Sequence, residues 1–424
     1  MPADVPVFLR TTAASSCEAP VSERFYACVR NTGNYFYEES LLRQLKNLHV
    51  VNSLEDLPTR IGTLVLSMSN FISSSTDLGY IYDELSARSV EQVVMIGAGA
   101  QAYEFGDRIV LTEGTRRFLD YVAARSVSIG VRGHYTAEVL ARLGIRNVDV
   151  IGCPSAFWND NAPDIRWSEL PERPRVAVHS TPLGHFRDKV SALMAHGMQH
   201  DADYVLQSEA WMMPLLGAGG DEDLLNKDIL YYAHPECNPI ELRAWLKRKL
   251  VVFFGMEKWL QQTANYDLVY GSRFHGNMAA IQAGVPALNM PFDTRTRELC
   301  EYLNLPTLRL GHFCKHMTLQ QLRDLADFDV FCRTYPVKQR AYADFLKRNG
   351  LSHSLRLGDL MRSQSRDAEA GAIARSLRGV LTDVSAVGGT NVAGLRAMIL
   401  ERLLEDRGAA SRDAAEAGLF DKVR

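Results

Sequence analysis

At 424 residues the chain is longer than one hydrophobic core usually serves, so two domains with added helices are the expectation. Apolar residues make up 46% and charged residues 23%, and the formal net charge is −3, which argues against nucleic acid as the main partner but is compatible with a local cationic pocket. No apolar run approaches the roughly 20 residues needed to span a bilayer. Residues 1–20 have an early acid and no continuous apolar region, unlike a secretory signal. Seven scattered cysteines without a C-x-x-C pair fit a reduced, cytoplasmic protein and no structural zinc.

In chain order, residues 1–22 read as a flexible leader. Residues 25–30 are a strand candidate, turning through Asn31, Thr32, Gly33 and Asn34 into an amphipathic helix that ends near 45. Short apolar runs at 63–68, 92–96, 126–131 and 148–151 alternate with helical stretches near 78–88, 113–124 and 134–143. Such alternation predicts βαβ units and a mostly parallel sheet, here an N-terminal Rossmann-like domain over 23–160. The polar, proline-marked stretch 159–174 suits a linker.

A second alternating set follows over 175–335. Its strands are predicted at 175–179, 203–206, 249–254, 267–270 and 286–290, and its helices near 186–197, 239–248 and 277–283. The interval 209–238 is less regular and could carry an insertion over the cleft. Residues 336–361 and 368–408 read as helical, within a C-terminal extension over 336–424. The fold class is therefore α/β: two Rossmann-like domains with parallel sheets facing a cleft, GT-B-like, plus C-terminal helices. A ligand would sit in the crevice between the domains.

The stretch with most chemistry is Gly271-Ser272-Arg273-Phe274-His275-Gly276, where a strand turns into a helix. Ligands of open α/β sheets bind at such strand ends, beside helix N-termini that attract anions. Arg273 and His275 lie two apart, so in an extended segment both point the same way, and Gly271 and Gly276 would let the backbone approach a ligand. The same residues also fit a surface arginine and a helix-capping histidine. Arg132, between Gly130 and Gly133 and just before His134 and Thr136, repeats the arrangement in the first domain. Two arginines at strand ends of different domains are a stronger signal than either alone, because the guanidinium fork suits carboxylate or phosphate.

Other motifs are weaker. Residues 97–100 follow a strand but lack the dinucleotide fingerprint, so close backbone packing in the cleft wall is the better reading. There is no P-loop. His179, His185, His196, His200 and His234 lack metal-ligand spacing and read as solvated or capping. Trp158 and 211–214 could line an acceptor groove, though such residues are more often core.

The block Ser272-Arg273-Phe274-His275-Gly276, with Ala280, Ala283-Gly284-Val285-Pro286 and Asp293-Thr294-Arg295, resembles the C-terminal signature of the polysaccharide pyruvyl transferase family. Val131-Arg132, Gly144-Ile145 and 148–154 are similar to its first-domain run, and Asn31-Thr32-Gly33-Asn34 to its N-terminal turn. Three positions depart from the family pattern: Asn34 where Asp is frequent, Gly133 where an acid is frequent, and Cys153 in place of Asp. Arg295 replaces a lysine and keeps the charge.

The resemblance implies transfer of pyruvate from phosphoenolpyruvate to a sugar, giving a cyclic ketal, with neither cofactor nor metal. Arg273, Arg132 and His275 are then the catalytic candidates: the arginines grip carboxylate and phosphate, and His275 hydrogen-bonds phosphate or acts as general acid. Asn31, Gly33, Asn34, Ser272, Gly276 and Arg295 are the substrate-binding candidates. The implied partners are phosphoenolpyruvate and a carbohydrate acceptor, lipid-linked or polymeric, with an oligomer left open. Loops 69–80 and 207–238 are candidates for the acceptor pocket. Two alternatives remain at this stage. One is a GT-B glycosyltransferase whose Asp293 or Glu298 grips a nucleotide ribose; the other is a non-catalytic, glycan-binding descendant that has lost the three acids.

Overall fold

The protein is described from a computed structural model, which covers residues 5–12, 18–166, 168–182 and 184–357. Its strands form two parallel sheets. The first has the order β2-β1-β3-β4, with β1 Val7–Leu9, β2 His49–Val51, β3 Arg60–Ser67 and β4 Ser89–Ile96. A parallel bridge between Ala98 and Val131 continues it into the pair β5 Ile129–Val131 and β6 Val148–Val150. The second sheet has the order β11-β10-β7-β8-β9. Its members are β7 Val176–His179, β8 Asp203–Leu206, β9 Leu250–Val252, β10 Leu268–Gly271 and β11 Ala287–Asn289. Every residue of β7 and β10 is buried, as expected for central strands covered on both faces.

Helices cover both sheets, and the sequence marks their ends. In chain order they are α1 Val21–Ala27, α2 Gly33–Gln44, α3 Gly79–Ser86, α4 Glu113–Arg125, α5 His134–Arg142, α6 Arg187–Gln199, α7 Glu222–Ala233, α8 Pro239–Lys249, α9 Met256–Thr263, α10 Phe274–Gln282, α11 Thr294–Leu303, α12 Leu319–Leu325 and α13 Asp329–Arg348. Asn238 caps α8 ahead of Pro239 at its first turn, and Lys247, Arg248 and Lys249 close it against the negative end of the helix dipole. Asp293 and Thr296 form a reciprocal capping box at α11. Among the described residues no helix is long and apolar enough to cross a membrane.

The α/β architecture with parallel sheets and a C-terminal helix is the expected one, with local differences. The predicted strand at 25–30 is instead the end of α1 and a turn, with Val29 and Arg30 in left-handed conformation at φ 55° and 53°. Phe25 and Cys28 are buried while Tyr26 and Val29 are 61% and 57% exposed, which is a helical and not an alternating pattern. The first sheet takes its strand from Val7–Leu9, inside the stretch read as a leader. That strand is too short for alternation to announce it, and both of its neighbours cover it. The irregular interval 209–238 contains α7, capped by Asp221.

The predicted helices at 368–408, and the last residues of the one predicted at 336–361, lie outside the described residues. Helix α13 begins seven residues before the predicted start at 336 and ends at Arg348. It packs back onto the first sheet's side. Tyr342 donates to Gln44 Oε1 (3.0 Å), Asn349 donates to Ser128 Oγ (3.0 Å), and Gln92 donates to the Asn349 carbonyl (3.1 Å).

Candidate active site

Strand ends of both sheets deliver side chains into one cavity of about 210 Å³. Arg132 arrives from the end of β5, Arg273 and His275 from the β10–α10 turn, and Arg295 from the first turn of α11. Asn31, Asn34 and Ser272 also line it. The two arginines predicted at strand ends of different domains therefore share a site.

Each arginine is anchored by protein groups. Arg132 is 1% exposed, and its Nε donates to the Gly97 carbonyl at 2.8 Å. Gly99 lies between two of the cations: a Cβ there would be 3.1 Å from both Arg132 Cδ and Arg295 Cγ, the close packing expected at 97–100. Arg273 donates through Nε to the Ser180 carbonyl (3.0 Å) and through Nη2 to Ser208 Oγ, with Glu209 Oε1 at 3.5 Å. Glu209 is itself buried and fixed by the backbone N–H groups of Gln207 and Ser208, both at 2.9 Å. Arg295 reaches Asp293 Oδ2 at 3.5 Å. Arg132 Nη2 and Arg295 Nε are buried without a protein partner. Buried donors are normally paired, so these mark where a ligand's acceptor atoms would be satisfied.

His275 sits among them. Burial, and then the charges of Arg132, Arg295 and Arg273, hold its pKa well below the ordinary imidazole range. Its Nε2 lies 3.7 Å from Cys153 Sγ. Gly33 backs the ring, since a Cβ there would be 2.8 Å from Nδ1.

The glycines of the motif act on protein, not on a ligand. A Cβ on Gly271, whose φ is +149°, would be 1.9 Å from the His179 carbonyl oxygen, and one on Gly276 would be 2.6 Å from His179 Nε2. Neither Gly33 nor Gly276 lines the cavity. His179, read from sequence as solvated or capping, is fully buried, and its Nδ1 accepts from the Arg273 N–H at 3.2 Å. It thereby fixes the turn that presents Arg273. Gly271→Ala is accordingly expected to destabilise the fold by on the order of 3 kcal/mol, measured by denaturant unfolding, because backbone and not a movable side chain meets the new methyl.

Sequence reasoning missed Tyr37, Gln101 and Thr181, and it held Asn70 and Gln207 only as members of the acceptor-loop candidates 69–80 and 207–238; all five line the cavity. All but Tyr37 follow strand ends, so applying the strand-end rule to every predicted strand would have found them. The two remaining histidine–acid details also differ from expectation. His196 is buried, bonded to Tyr270 (2.6 Å) and to the Met317 carbonyl (2.9 Å). Glu298 is buried against the start of α5, accepting from the Thr136 N–H at 2.9 Å.

The buried histidines make a pH prediction. Burial lowers His179 to about 3 and His196 to about 4, from an ordinary 6.5. Unfolded imidazoles take up protons below pH 6.5 while the folded ones stay neutral, so stability is present above 6.5 and lost as pH falls. Glu298, pushed up to about 8 by burial, works in the opposite direction. With His275, also held well below the ordinary range, three histidines against one glutamate leave a net loss on the order of 3 kcal/mol between pH 6.5 and 5, to be read from urea midpoints.

The arrangement, three guanidinium groups and a neutral imidazole around a small enclosed space, is that of a cleft for a ligand with more than one negative charge. The sequence model of the polysaccharide pyruvyl transferase family matches residues 31–293, and the chain belongs to that family. It is thus a transferase of the class that passes pyruvate to glycans. No curated protein matches the chain. Among solved structures it is similar to an uncharacterized protein of Klebsiella pneumoniae, at 10% identity and TM-score 0.38, covering 71% of this chain and 88% of that one. It is also similar to Anabaena HepE in complex with UDP and glucose, at 10% identity and TM-score 0.36, covering 87% and 99%. A third is S. aureus MnaA with UDP, at 11% identity and TM-score 0.34, covering 85% and 93%. Likeness at this level carries no inference about ligand.

Proposed function

We propose that the chain transfers pyruvate from phosphoenolpyruvate to two hydroxyls of a sugar, forming a pyruvate ketal. The observation that carries this is the convergence of Arg132, Arg273 and Arg295 on one small cavity, with Arg132 Nη2 and Arg295 Nε buried and unpartnered. Phosphoenolpyruvate is small, bears a carboxylate and a phosphate, and needs several cations at once. A volume of about 210 Å³ lies below the ~300–1,000 Å³ common for drug-sized ligands.

In this reading the arginines bind the two anionic groups and stabilise the phosphate as it leaves. One sugar hydroxyl adds at C2 as C3 gains a proton, the C2=C3 π bond giving way to a C–O and a C–H bond, and that hydroxyl's own proton replaces the one delivered to C3. The second hydroxyl then displaces phosphate, which departs with the second hydroxyl's proton, so two C–O bonds form, one breaks, and no redox partner enters. His275 is the candidate to hold the proton destined for C3. It is neutral in the free site, and the ligand's negative charges offset the arginines, so its proton affinity rises on donor binding.

The nucleotide-sugar reading is the weaker one on the two acids that would have to grip a ribose. Asp293, one candidate for gripping ribose, accepts from Thr296 N (2.8 Å) in its capping box. Glu298, the other, is held by Thr136. The test is a thermal shift followed by a phosphate-release assay. Phosphoenolpyruvate is expected to stabilise the protein and UDP not to. Arg273→Ala and His275→Ala are expected to stop phosphate release with a galactoside or mannosaminide acceptor. Stabilisation by UDP alone would point to the other chemistry.

A further inference from the structure

Beside the arginine cavity lies a second, larger hollow. Gln101 and Phe292 line both, and the second, of about 590 Å³, is walled by residues 73–75, Ala102, Tyr103, 107–109 and Asp293. The junction is built. Gln101 Oε1 accepts from Asn70 at 2.9 Å, and its Nε2 donates to Asp293 Oδ2 at 3.1 Å. The same Asp293 oxygen faces Arg295 Nη2 at 3.5 Å, so one carboxylate touches the donor-side cation and also lines the second hollow.

Resting on the pyruvyl-transfer reading, we propose that this second hollow is the acceptor subsite, holding a hexopyranosyl residue whose ketal-forming hydroxyls pass over Gln101 toward the arginines. The arginine cavity has room for the donor but not for a sugar ring beside it, whereas the second hollow falls within the ordinary range for small-molecule sites. Its walls match a sugar's two kinds of surface. Tyr103, 56% exposed and edge-on to His185 at 4.3 Å between centroids, offers an aromatic face for the C–H side of a ring. Ser74 Oγ accepts from the Val110 N–H at 3.0 Å, which leaves its own proton for a sugar oxygen. Asp293, which lines this hollow and bonds the shared Gln101, supplies an acceptor for a hydroxyl proton.

Of the two loops expected to hold the acceptor, this selects 69–80. The 207–238 interval gives Gln207 to the arginine cavity and no residue to the second hollow.

The full chain is titrated with phosphoenolpyruvate by thermal shift. At saturating donor it is then titrated with N-acetylmannosamine and with methyl β-galactoside. The wild type is compared with Ser75→Trp and Tyr103→Ala, both at exposed positions outside the arginine cavity. The donor shift is expected to be the same in all three proteins. At least one sugar is expected to add a shift in the wild type, with its affinity lowered about tenfold or more in both variants. Unchanged sugar affinity in Ser75→Trp, or no sugar shift in the donor-loaded wild type, overturns the subsite. Absence of the donor shift in the wild type overturns instead the pyruvyl-transfer reading on which it rests.

Discussion

Arg132→Ala is expected to lower kcat/KM for phosphoenolpyruvate by on the order of 10²–10³-fold, because truncating one partner of a buried charged pair costs ~2–5 kcal/mol. The side chain is the most enclosed cation of the cavity, anchored by Nε on the Gly97 carbonyl and lying 5.6 Å from the Tyr37 ring centroid. Anchoring leaves Nη2 buried with no protein acceptor to satisfy it. Lysine is not expected to rescue, since an ammonium cannot bond Gly97 and the ligand through one planar fork. The loss also has a signature in pH. Arg132 is the largest electrostatic contributor to the lowered pKa of His275, after burial. Its removal therefore raises the imidazole toward its ordinary range, and because His275 acts in its protonated form the alkaline limb of the kcat profile moves to higher pH. A merely structural loss would leave that limb in place.

Gly133→Asp is expected to destabilise the protein by about 3 kcal/mol or more, with the loss largely recovered in a Gly133→Asp/Glu298→Ala double variant. A Cβ at position 133 would lie 2.6 Å from both Cβ and Oε2 of Glu298. The added carboxylate would also meet one that burial already pushes up to about 8, despite two hydrogen bonds from Thr136 and the charge of Arg132. Position 133 is one of the three departures from the family pattern, and the structure gives a reason for it. The space beside Arg132 that an acid at 133 would enter is taken by Glu298 from the other half of the chain. Urea denaturation of the single and double variants measures the coupling. Additive losses would mean that Glu298 is not the obstacle.

The other two departures are also local substitutions of contact. Cys153 places a thiol beside His275, and Asn34 donates to the Cys28 carbonyl at 3.1 Å while lining the cavity. Neither brings a carboxylate to the imidazole; the buried acids nearby, Glu209 and Asp293, face Arg273 and Arg295 instead, and the three arginines still hold the pKa of His275 down.

What was legible in the sequence follows from how local each signal is. The strand-to-helix turn at 271–276 and the strand end at Arg132 are short-range patterns, and the structure brings both to one cavity. The strand β1 was hidden because three residues cannot show a period, and α1 was misread because the short apolar run 25–29 fits strand and helix alike. Glu298 was hidden for a different reason: its partner Thr136 is 162 positions away, and no local pattern announces a pair at that distance. His179 shows the same limit. Its burial follows from the close approach that Gly271 and Gly276 permit, and sequence reasoning had assigned those glycines to a ligand.

The most direct test of the account is a crystal structure of the protein soaked with phosphoenolpyruvate. The expected result is one donor molecule in the cavity, its carboxylate and phosphate within hydrogen-bond distance of Arg132 Nη2 and Arg295 Nε, with Arg273 on the same ligand. Density for the donor elsewhere, or a cavity that stays empty at saturating concentration, would contradict it.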